Sequence, residues 1–343
     1  EELSGLGIDN HVAVKSRSAF EAFVQAKNIP HIGLPFTNTL DVRTAWAIRN
    51  YCRKAGVDIV HMHSAKSHGI AVLSAALGNK TPLILSRRVD FIPKSNALTR
   101  WRYYHKSIRK IVGVSHKITE IMRAYTGDAE KCVTVHSGID PAKFERETDR
   151  GVLKREYGIA PGTVVIGNTA ALEHHKDYPT FIDAIAKLVK MNLPVRAFAI
   201  GDGSLKNELM RVVQERSLDQ HIIFTGFRKD IVRILPGLDV FLITSETEGL
   251  GTSILDAFAA GVPVVATNAG GIPEMVEHRI TGMLCRVKDS DCLANAVAEL
   301  VANAHLRAEL TGEAKRKLHE FTKSNTARKT LEIYNEVLNQ RTD

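Results

Sequence analysis

Short runs of β-branched residues alternate with longer amphipathic stretches along the whole chain of 343 residues. This alternation is typical of parallel strands joined by helices, because each strand is covered on both faces by the helices that follow it. A single hydrophobic core seldom extends beyond about 250–300 residues, so a chain of this length favours two domains. We therefore expect an α/β protein with two doubly wound, Rossmann-like domains.

The predicted elements are distributed over both halves. In the first half, the predicted strands are His11–Val14, His31–Leu34, Asp58–His61, Leu83–Ser86, Ile111–Val114 and Cys132–Val135, and the predicted helices include Leu40–Lys54 and His116–Tyr125. In the second half, the predicted strands are Val164–Asn168, Val195–Ile200, Ile222–Thr225, Val240–Thr244 and Pro263–Ala266, and the predicted helices include Tyr178–Met191, Ser204–Arg216, Leu293–Asn303 and Leu306–Phe321. Glu1–Leu6 resembles the end of a helix, so we expect a central first strand and its Gly-rich turn to lie upstream of this sequence.

A polar stretch from Lys143 to Gly162, rich in Glu, Arg and Lys, separates the two halves. Because such stretches carry few long-range contacts, they are typical of domain boundaries. We place an N-terminal domain at residues 1–145, a linker at residues 146–162 and a C-terminal domain at residues 163–325. The amphipathic stretch Ala327–Asn339, within a last segment at residues 326–343, predicts a helix that packs back on the first domain.

The composition, with 44% hydrophobic and 24% charged residues, is typical of a folded soluble protein and excludes a collagen, a coiled coil and extended disorder. No apolar stretch has the roughly 18 residues that a membrane span requires, and no basic-then-apolar leader is visible. The four cysteines, Cys52, Cys132, Cys285 and Cys292, contain no C-x-x-C pair. We therefore expect neither a disulfide framework nor a structural metal, and a reducing cytoplasm.

The excess positive charge is confined to the first half. Residues 1–145 carry 21 Lys and Arg against 12 Asp and Glu, whereas residues 146–343 carry 25 against 26. The segment from Arg87 to Lys117 contains nine Lys and Arg and a single acid, Asp90, interleaved with aromatic residues. Such a segment is typical of a nucleic-acid surface, of a surface for anionic lipid, or of a solvated helix, and the sequence leaves these alternatives open.

The most informative motif extends from Ser245 to Ala257. It lies where a buried strand is predicted to end and a helix to begin. Gly249 and Gly251 allow a ligand to approach the backbone, and the N–H groups around Gly251–Ile254 at a helix start form a site for a diphosphate. The motif therefore predicts an anion-binding site in the C-terminal half.

Two carboxylates, Glu248 and Asp256, flank this helix start. We expect Asp256 in the first turn of the helix, so that the two acids hold two different hydroxyl-bearing groups. An acid, seven residues and a second acid, followed by a small-residue helix and a Gly-x-Pro-Val-Val strand, resemble the signature of the retaining glycosyltransferases of family four. Asp256 stands where that family has Glu, one methylene longer. Three further turns resemble those of the family: Gly201-Asp202-Gly203, Phe224-x-Gly226 and Gly270-Gly271-Ile272-Pro273-Glu274.

The resemblance implies a GT-B fold, in which an acceptor-binding domain and a donor-binding domain face each other across a cleft. It implies that Glu248 contacts the transferred sugar, that Asp256 holds the ribose hydroxyls and that Lys176 grips the diphosphate. Ala171 occupies the position of the family's second phosphate-binding residue, an Arg, so Lys176 needs help from the helix dipole and from His174, His175 or Arg228. The remaining predicted donor-binding residues are Gly201, Phe227, Arg228, Gly249, Leu250, Gly251, Thr252 and Ser253.

In the first half, His61 and His63 end a predicted strand and point the same way only in an extended chain. A metal site at this pair lacks a third ligand at a plausible spacing. The resemblance places the segment beside the transferred sugar, and we favour His63 over His61 as the third catalytic residue. The residues predicted to face the acceptor or a membrane are Arg87, Arg88, Arg100, Arg102 and Lys106.

The resulting hypothesis is a retaining, metal-independent hexosyl- or N-acetylhexosaminyltransferase of lipopolysaccharide or capsule assembly, with an envelope glycan or lipid-linked acceptor. It needs no cofactor, and we favour a UDP-linked donor over a GDP- or ADP-linked one. Two alternatives are a GT-B sugar-nucleotide epimerase and a basic nucleic-acid-binding protein, although no stacking motif or groove-reading helix favours the latter and we expect no nucleic acid as a partner. NAD-dependent oxidoreduction is disfavoured because no G-x-G-x-x-G turn is present. The expected location is the cytoplasm, either free or peripheral on the inner face of the membrane.

Overall fold

A computed structural model describes residues 1–146 and 149–340 of the chain. Contacts within the chain divide it into two compact units, one formed by Glu1–His136 with Lys323–Asp343 and the other by Ser137–Thr322. The described part of residues 137–162 therefore belongs to the second unit, where Val152 and Leu153 are buried. Residues 147–148 of the predicted linker and 341–343 of the predicted C-terminal segment lie outside the described residues.

The described residues of the first unit form six strands in two parallel sheets. Its strands are β1 (Val12–Lys15), β2 (His31–Leu34), β3 (Val60–Met62), β4 (Leu83–Arg87), β5 (Ile108–Gly113) and β6 (Cys132–Thr134). Its helices are α1 (Glu2–Gly5), α2 (Ala19–Ala26), α3 (Val42–Ala55), α4 (Ala65–Ala76), α5 (Ala97–Tyr104), α6 (His116–Thr126) and α14 (Lys323–Asn339). β1 pairs with β2, and β3, β4, β5 and β6 form the second sheet in that order. No described strand joins β1 to β3, so the unit lacks the single continuous sheet expected of a doubly wound domain.

Helix α14 covers the four-stranded sheet of the first unit. Ile333 and Val337 of this helix form a buried cluster with Ile84 of β4 and Val112 of β5. Burial of each such side chain stabilises the packed state by about 1.5–3 kcal/mol. The last helix of the chain is thus part of the unit that contains the first strands.

The second unit is built on one six-stranded parallel sheet. Its strands are β7 (Val164–Thr169), β8 (Val195–Ile200), β9 (Ile222–Gly226), β10 (Val240–Ile243), β11 (Val264–Thr267) and β12 (Met283–Cys285), in the order β12-β11-β10-β7-β8-β9. Its helices are α7 (Val152–Glu156), α8 (Tyr178–Lys190), α9 (Lys206–Glu215), α10 (Ile231–Ile234), α11 (Thr252–Ala259), α12 (Ser290–Ala302) and α13 (Ala304–Leu318). Short 3-10 turns at Pro141–Lys143, His174–Lys176, Leu235–Gly237, Ile272–Glu274 and His319–Phe321 complete it.

The core of the second unit lies between its sheet and the helices. The central strands β7 and β10 are buried over almost their whole length, which explains their near-continuous runs of apolar residues. On helix α8, Phe181, Ile185 and Leu188 point into the same cluster as Ile166 of β7. Asp177 begins this helix by accepting the N–H of Thr180, as expected of an N-cap residue.

Two further features differ from the sequence-based expectations. Strand β12 was not predicted, because only three residues pair and no β-branched residue is among them. Cys285, at the end of β12, forms a disulfide with Cys292 in α12, so the expectation of no disulfide was wrong. The turn between strand and helix folds back far enough to place the two Cα atoms 5.7 Å apart, within bonding range, and a spacing of seven residues does not reveal this. Cys52 and Cys132 are free and buried.

None of the helices among the described residues is both long and apolar enough to cross a membrane.

Candidate active site

The carboxyl ends of β7 and β10 lie side by side at the centre of the second sheet. From β7 the chain proceeds outward through β8 and β9 on one side, and β10 to β12 occupy the other side, so the strand order reverses between β7 and β10. The loops that follow two such strands diverge and leave a crevice, the usual ligand site of open parallel sheets. Lys176 follows β7 and Glu248 follows β10. The fold therefore brings two of the predicted catalytic residues to this crevice.

Lys176 and Glu248 form an ion pair, with 2.5 Å between Lys176 Nζ and Glu248 Oε2. Their side chains are only 15% and 13% exposed, so their mutual attraction is screened less than that of a surface pair. Ser245 Oγ donates a hydrogen bond to the same carboxylate oxygen at 3.2 Å. An anionic group that enters the crevice will compete with Glu248 for the Lys176 ammonium.

Buried hydrogen bonds hold the two loops together. The hydroxyl of Thr244 donates to the carbonyl oxygens of Lys176 at 3.1 Å and of Asp177 at 2.9 Å. The N–H of Glu246 donates to the carbonyl of His175 at 2.9 Å. Because Thr244 is fully buried, these bonds are shielded from water and fix the position of Lys176 opposite Glu248.

The start of helix α11 faces the same loops. Its N-cap residue is Gly251, with φ at 91°, and because glycine has no side chain, the N-cap residue does not satisfy the first N–H groups of the helix. A Cβ on Gly251 would lie 3.2 Å from Glu248 Cγ, and therefore glycine allows Glu248 to lie against the helix start. Thr252 and Ser253 are partly exposed there, whereas Leu250 is buried and offers only its backbone to a ligand.

Asp256 is the fifth residue of α11 and not part of its first turn; the expectation placed it one turn too early, because the helix begins at Thr252. Burial raises the pKa of the Asp256 carboxyl to about 6, although the charge of Lys143 opposes this rise. Among the described residues, none donates a hydrogen bond to this carboxylate. A half-buried acid of this kind is suited to accepting hydrogen bonds from hydroxyl groups of a ligand.

The turn after β8 packs tightly on the loop after β7. Gly201 has φ at 152°, and a Cβ there would lie 2.0 Å from the carbonyl oxygen of Ala170. A Cβ on Gly203 would lie 2.5 Å from the carbonyl oxygen of Leu172. Both glycines are thus required by backbone contact, and Gly201, predicted to bind the donor, has a structural reason to be glycine.

Phe227 and Arg228 follow β9 and differ in their surroundings. Phe227 is 73% exposed and offers an aromatic face. Arg228 instead donates to both carboxylate oxygens of Asp230, each at 2.7 Å, and to those of Glu156 at 2.5 and 3.0 Å. Its charge is therefore compensated by two acids, and Arg228 does not supply the free cation expected to replace the missing Arg at Ala171. His174 and His175 are exposed beside Lys176.

In the first unit, His61 and His63 lie at the end of β3 with ring centroids 4.2 Å apart. His61 contacts Tyr334 Oη through Nδ1 at 2.7 Å and Ser86 Oγ through Nε2 at 2.8 Å. Burial, and next the charge of His63, lower the pKa of His61 to about 3. Restricted hydration, and next the charge of Arg88, lower the pKa of His63. Both rings are therefore neutral at pH 7.

The predicted basic residues of the first unit separate into two groups. Arg87 is buried, donates to Tyr103 Oη at 2.8 Å and to the carbonyl of Phe91 at 2.5 Å, and does not face solvent. Arg102 is partly buried and donates to Thr99 Oγ1 at 3.3 Å. Arg88, Arg100 and Lys106 are exposed. Six apolar or aromatic side chains of the same segment are also exposed: Val89, Phe91, Ile92, Leu98, Trp101 and Tyr104.

Four residues of these sites were not predicted to take part in them: Thr244, Ser245, Ser86 and Tyr334, although Ser245 is the first residue of the predicted anion-binding motif. Thr244 and Ser245 carried a signal, because polar residues directly after a fully apolar strand lie at the carboxyl edge of the sheet. Ser86 ends a strand next to the one that carries His61, but strand order cannot be read from the sequence. Tyr334 lies 273 residues from His61, and nothing in the sequence indicates their contact.

Two family models match the chain. The model described as glycosyl transferases group 1 matches residues 149–317, and the model described as glycosyltransferase family 4 matches residues 1–143. Together they span nearly all of the chain, one model to each half.

Several known proteins are similar to the chain. The N-acetyl-α-D-glucosaminyl L-malate synthase of Bacillus anthracis is 25% identical over 307 residues, 87% of this chain and 80% of that protein. The UDP-Gal:α-D-GlcNAc-diphosphoundecaprenol α-1,3-galactosyltransferase of Escherichia coli is 25% identical over 292 residues, 81% of this chain and 75% of that protein. The crystal structure of Anabaena HepE in complex with UDP-glucose matches with a TM-score of 0.84 at 21% identity, over 99% of this chain and 94% of that one. The chain therefore belongs to the group 1, family 4 glycosyltransferases, has the GT-B fold and transfers a sugar from a nucleotide donor.

Proposed function

We propose that the protein is a retaining glycosyltransferase that moves a hexosyl or N-acetylhexosaminyl group from a UDP-sugar to a hydroxyl of an anionic acceptor, an envelope glycan or a lipid-linked sugar. The observation that carries the proposal is the Lys176–Glu248 pair at the strand-order reversal, beside a helix start without a side-chain cap. This arrangement supplies a cation and N–H donors for a diphosphate, and an acid for the adjoining sugar.

The diphosphate is proposed to bind between Lys176 and the N terminus of α11. Its negative charge attracts the Lys176 ammonium and the positive end of the helix dipole. Its oxygens accept hydrogen bonds from the backbone N–H groups near Thr252 and Ser253. Glu248, released from Lys176 by this competition, then accepts hydrogen bonds from hydroxyls of the transferred sugar. The same ion pair thus keeps both side chains in place before the donor arrives.

The nucleoside is proposed to extend past the helix toward Asp256 and Phe227. The Asp256 carboxylate accepts hydrogen bonds from the two ribose hydroxyls, and these bonds compensate for its burial. Phe227, which is 73% exposed, stacks on the base. Stacking accepts any base, and UDP is our choice because both the name of the E. coli relative and the ligand of the Anabaena structure contain uridine nucleotides.

Retention follows from the proposed geometry. Glu248 is the partner of Lys176 and is committed to holding the sugar, so it is not placed as the general base that inversion requires. The leaving diphosphate, whose negative charge grows as the glycosidic bond loosens, takes the proton of the acceptor hydroxyl on the same face of the sugar. His63, neutral at pH 7, is proposed to contact the transferred sugar. The reaction needs no cofactor, and Lys176 with the helix dipole takes the role that a metal has in other transferases.

The acceptor is proposed to be anionic. The names of the two relatives describe a malate and a diphosphate-linked lipid as acceptors. In this chain, Arg88, Arg100 and Lys106 are exposed among exposed Phe91 and Trp101, a combination that favours binding to an anionic membrane surface. We propose that this surface holds the enzyme peripherally on the cytoplasmic side of the membrane, in lipopolysaccharide or capsule assembly.

A thermal-shift comparison of UDP, GDP and ADP, alone and as their sugars, tests the donor assignment. A ligand at 100 times its Kd stabilises the folded state by about 2.7 kcal/mol, and we expect the largest shift with UDP. The shift should disappear in Lys176→Met and remain in Lys187→Met, a matched lysine that pairs with Asp291 on helix α12. An equal UDP shift in both variants would contradict the proposal. For retention, proton NMR of the product must show the anomeric configuration of the donor; the opposite anomer would exclude it.

A further inference from the structure

Both ring nitrogens of His61 have hydroxyl partners. Nδ1 lies 2.7 Å from Tyr334 Oη and Nε2 lies 2.8 Å from Ser86 Oγ. A neutral imidazole donates with one nitrogen and accepts with the other, and a hydroxyl does either. Either tautomer of neutral His61 therefore satisfies both contacts, and these contacts together fix the plane of the ring.

His63 lies against this ring. The two centroids are 4.2 Å apart with the planes inclined by 33°, so the two rings are in contact. His63 itself is exposed. The orientation of His63 thus depends on a neighbour whose own ring cannot rotate without losing two hydrogen bonds.

Tyr334 belongs to helix α14, far from His61 in the sequence. Helix α14 is attached to the sheet by Ile333 and Val337 and by an ion pair of 2.5 Å between Lys110 Nζ and Glu336 Oε1. These contacts hold the backbone that carries Tyr334. The last helix of the chain therefore reaches the end of β3, where His63 is located.

We propose that Tyr334 and Ser86 are positioning residues, which lock His61 as a platform for His63 and so make helix α14 part of the catalytic apparatus. The inference rests on the proposed contact of His63 with the transferred sugar. Neither Tyr334 nor Ser86 needs to touch the substrate, because each acts through His61.

A double-mutant cycle in kcat tests the inference. Tyr334→Phe keeps the aromatic ring and removes one hydrogen bond of His61, and Ser86→Ala removes the other. Because a neutral hydrogen bond stabilises by about 0.5–1.5 kcal/mol, each variant should lower kcat about 2- to 10-fold, with the KM for the donor unchanged. In a His63→Ala background, the same two substitutions should change kcat by less than about 2-fold.

Glu332→Gln is the matched control. It removes an exposed ion pair with Arg328 within helix α14 and alters neither the partners of His61 nor the Lys110–Glu336 pair, so both the melting temperature and kcat should change little. An equal loss of kcat in Glu332→Gln and Tyr334→Phe, or the same effect of Tyr334→Phe with and without His63, would overturn the inference and leave the proposed function intact. Full activity of His63→Ala would instead refute the proposed role of His63.

Discussion

Asp256→Asn is expected to stabilise the protein and impair the enzyme at the same time. Burial raises the pKa of this carboxyl from 3.8 to about 6, which means that the folded unit disfavours the ionised form that the unfolded chain accepts. At 1.36 kcal/mol per pH unit, the penalty at pH 7 is about 3 kcal/mol. The penalty is fully present above about pH 6 and is absent below about pH 4.

The asparagine side chain carries no charge and avoids this penalty. We expect Asp256→Asn to raise the free energy of unfolding in urea by up to about 3 kcal/mol at pH 7, and to change it little at pH 4. The melting temperature at pH 7 should rise by about 6–12 °C, the range for a unit of this size. The affinity for UDP should fall about 10-fold or more, because the amide accepts the ribose hydroxyls less well than a carboxylate does.

Asp289→Asn serves as the control for this comparison. Asp289 is the N-cap of α12 and accepts the N–H of Cys292 at 2.9 Å, a role that asparagine fills equally well. Its free energy of unfolding should therefore change by only a few tenths of a kcal/mol. If Asp256→Asn destabilised the protein at pH 7, or left the affinity for UDP unchanged, the interpretation of Asp256 as an uncompensated, ligand-binding acid would be refuted.

Three further predictions concern the rest of the chain. Gly201→Ala should prevent folding of the second unit or destabilise it by more than about 3 kcal/mol, since its Cβ would lie 2.0 Å from the Ala170 carbonyl oxygen; a normal urea midpoint would show that the turn adapts. The pKa values of His61 and His63 are lowered in the folded unit, so at acidic pH the unfolded chain binds more protons than the folded one. The free energy of unfolding should therefore decrease as the pH falls below about 6.5, and it should decrease less in His61→Gln. Identical pH profiles of unfolding for the two proteins would contradict this. Cys292→Ser should cost about 2 kcal/mol by opening the short Cys285–Cys292 loop, measured by denaturation without reductant, and a reductant should remove the difference from the wild type.

Much of the fold could be predicted from the sequence, because parallel strands buried on both faces leave β-branched runs that contrast with amphipathic helices. The strands β2 and β8 coincide with their predictions, and the two-domain GT-B class is confirmed by the structural matches. Strand β12 was missed because it is short, and helix α11 begins at Thr252, early enough to place Asp256 in its second turn. The local sequence pattern predicts the ends of helices and strands poorly, because side-chain packing determines where they begin and end.

The sites were predictable to the extent that they follow strand ends. Glu248 and Lys176 both follow apolar strands, but their contact depends on β7 and β10 being neighbours, which is a property of the strand order. The burial of Arg87 against Tyr103 and the capture of Arg228 by Glu156 and Asp230 arise from tertiary contacts of charged residues that look like solvated ones in the sequence. The Cys285–Cys292 disulfide was missed because it depends on how the turn between β12 and α12 folds, which the spacing of the two cysteines does not reveal.

The central claim is that a diphosphate replaces Glu248 as the partner of Lys176. A crystal structure of the complex with UDP tests it most directly. The account predicts a phosphate oxygen within 3.2 Å of Lys176 Nζ, hydrogen bonds from the ribose hydroxyls to Asp256 and a Glu248 carboxylate turned away from Lys176. A nucleotide bound elsewhere, with the Lys176–Glu248 pair intact, would contradict it.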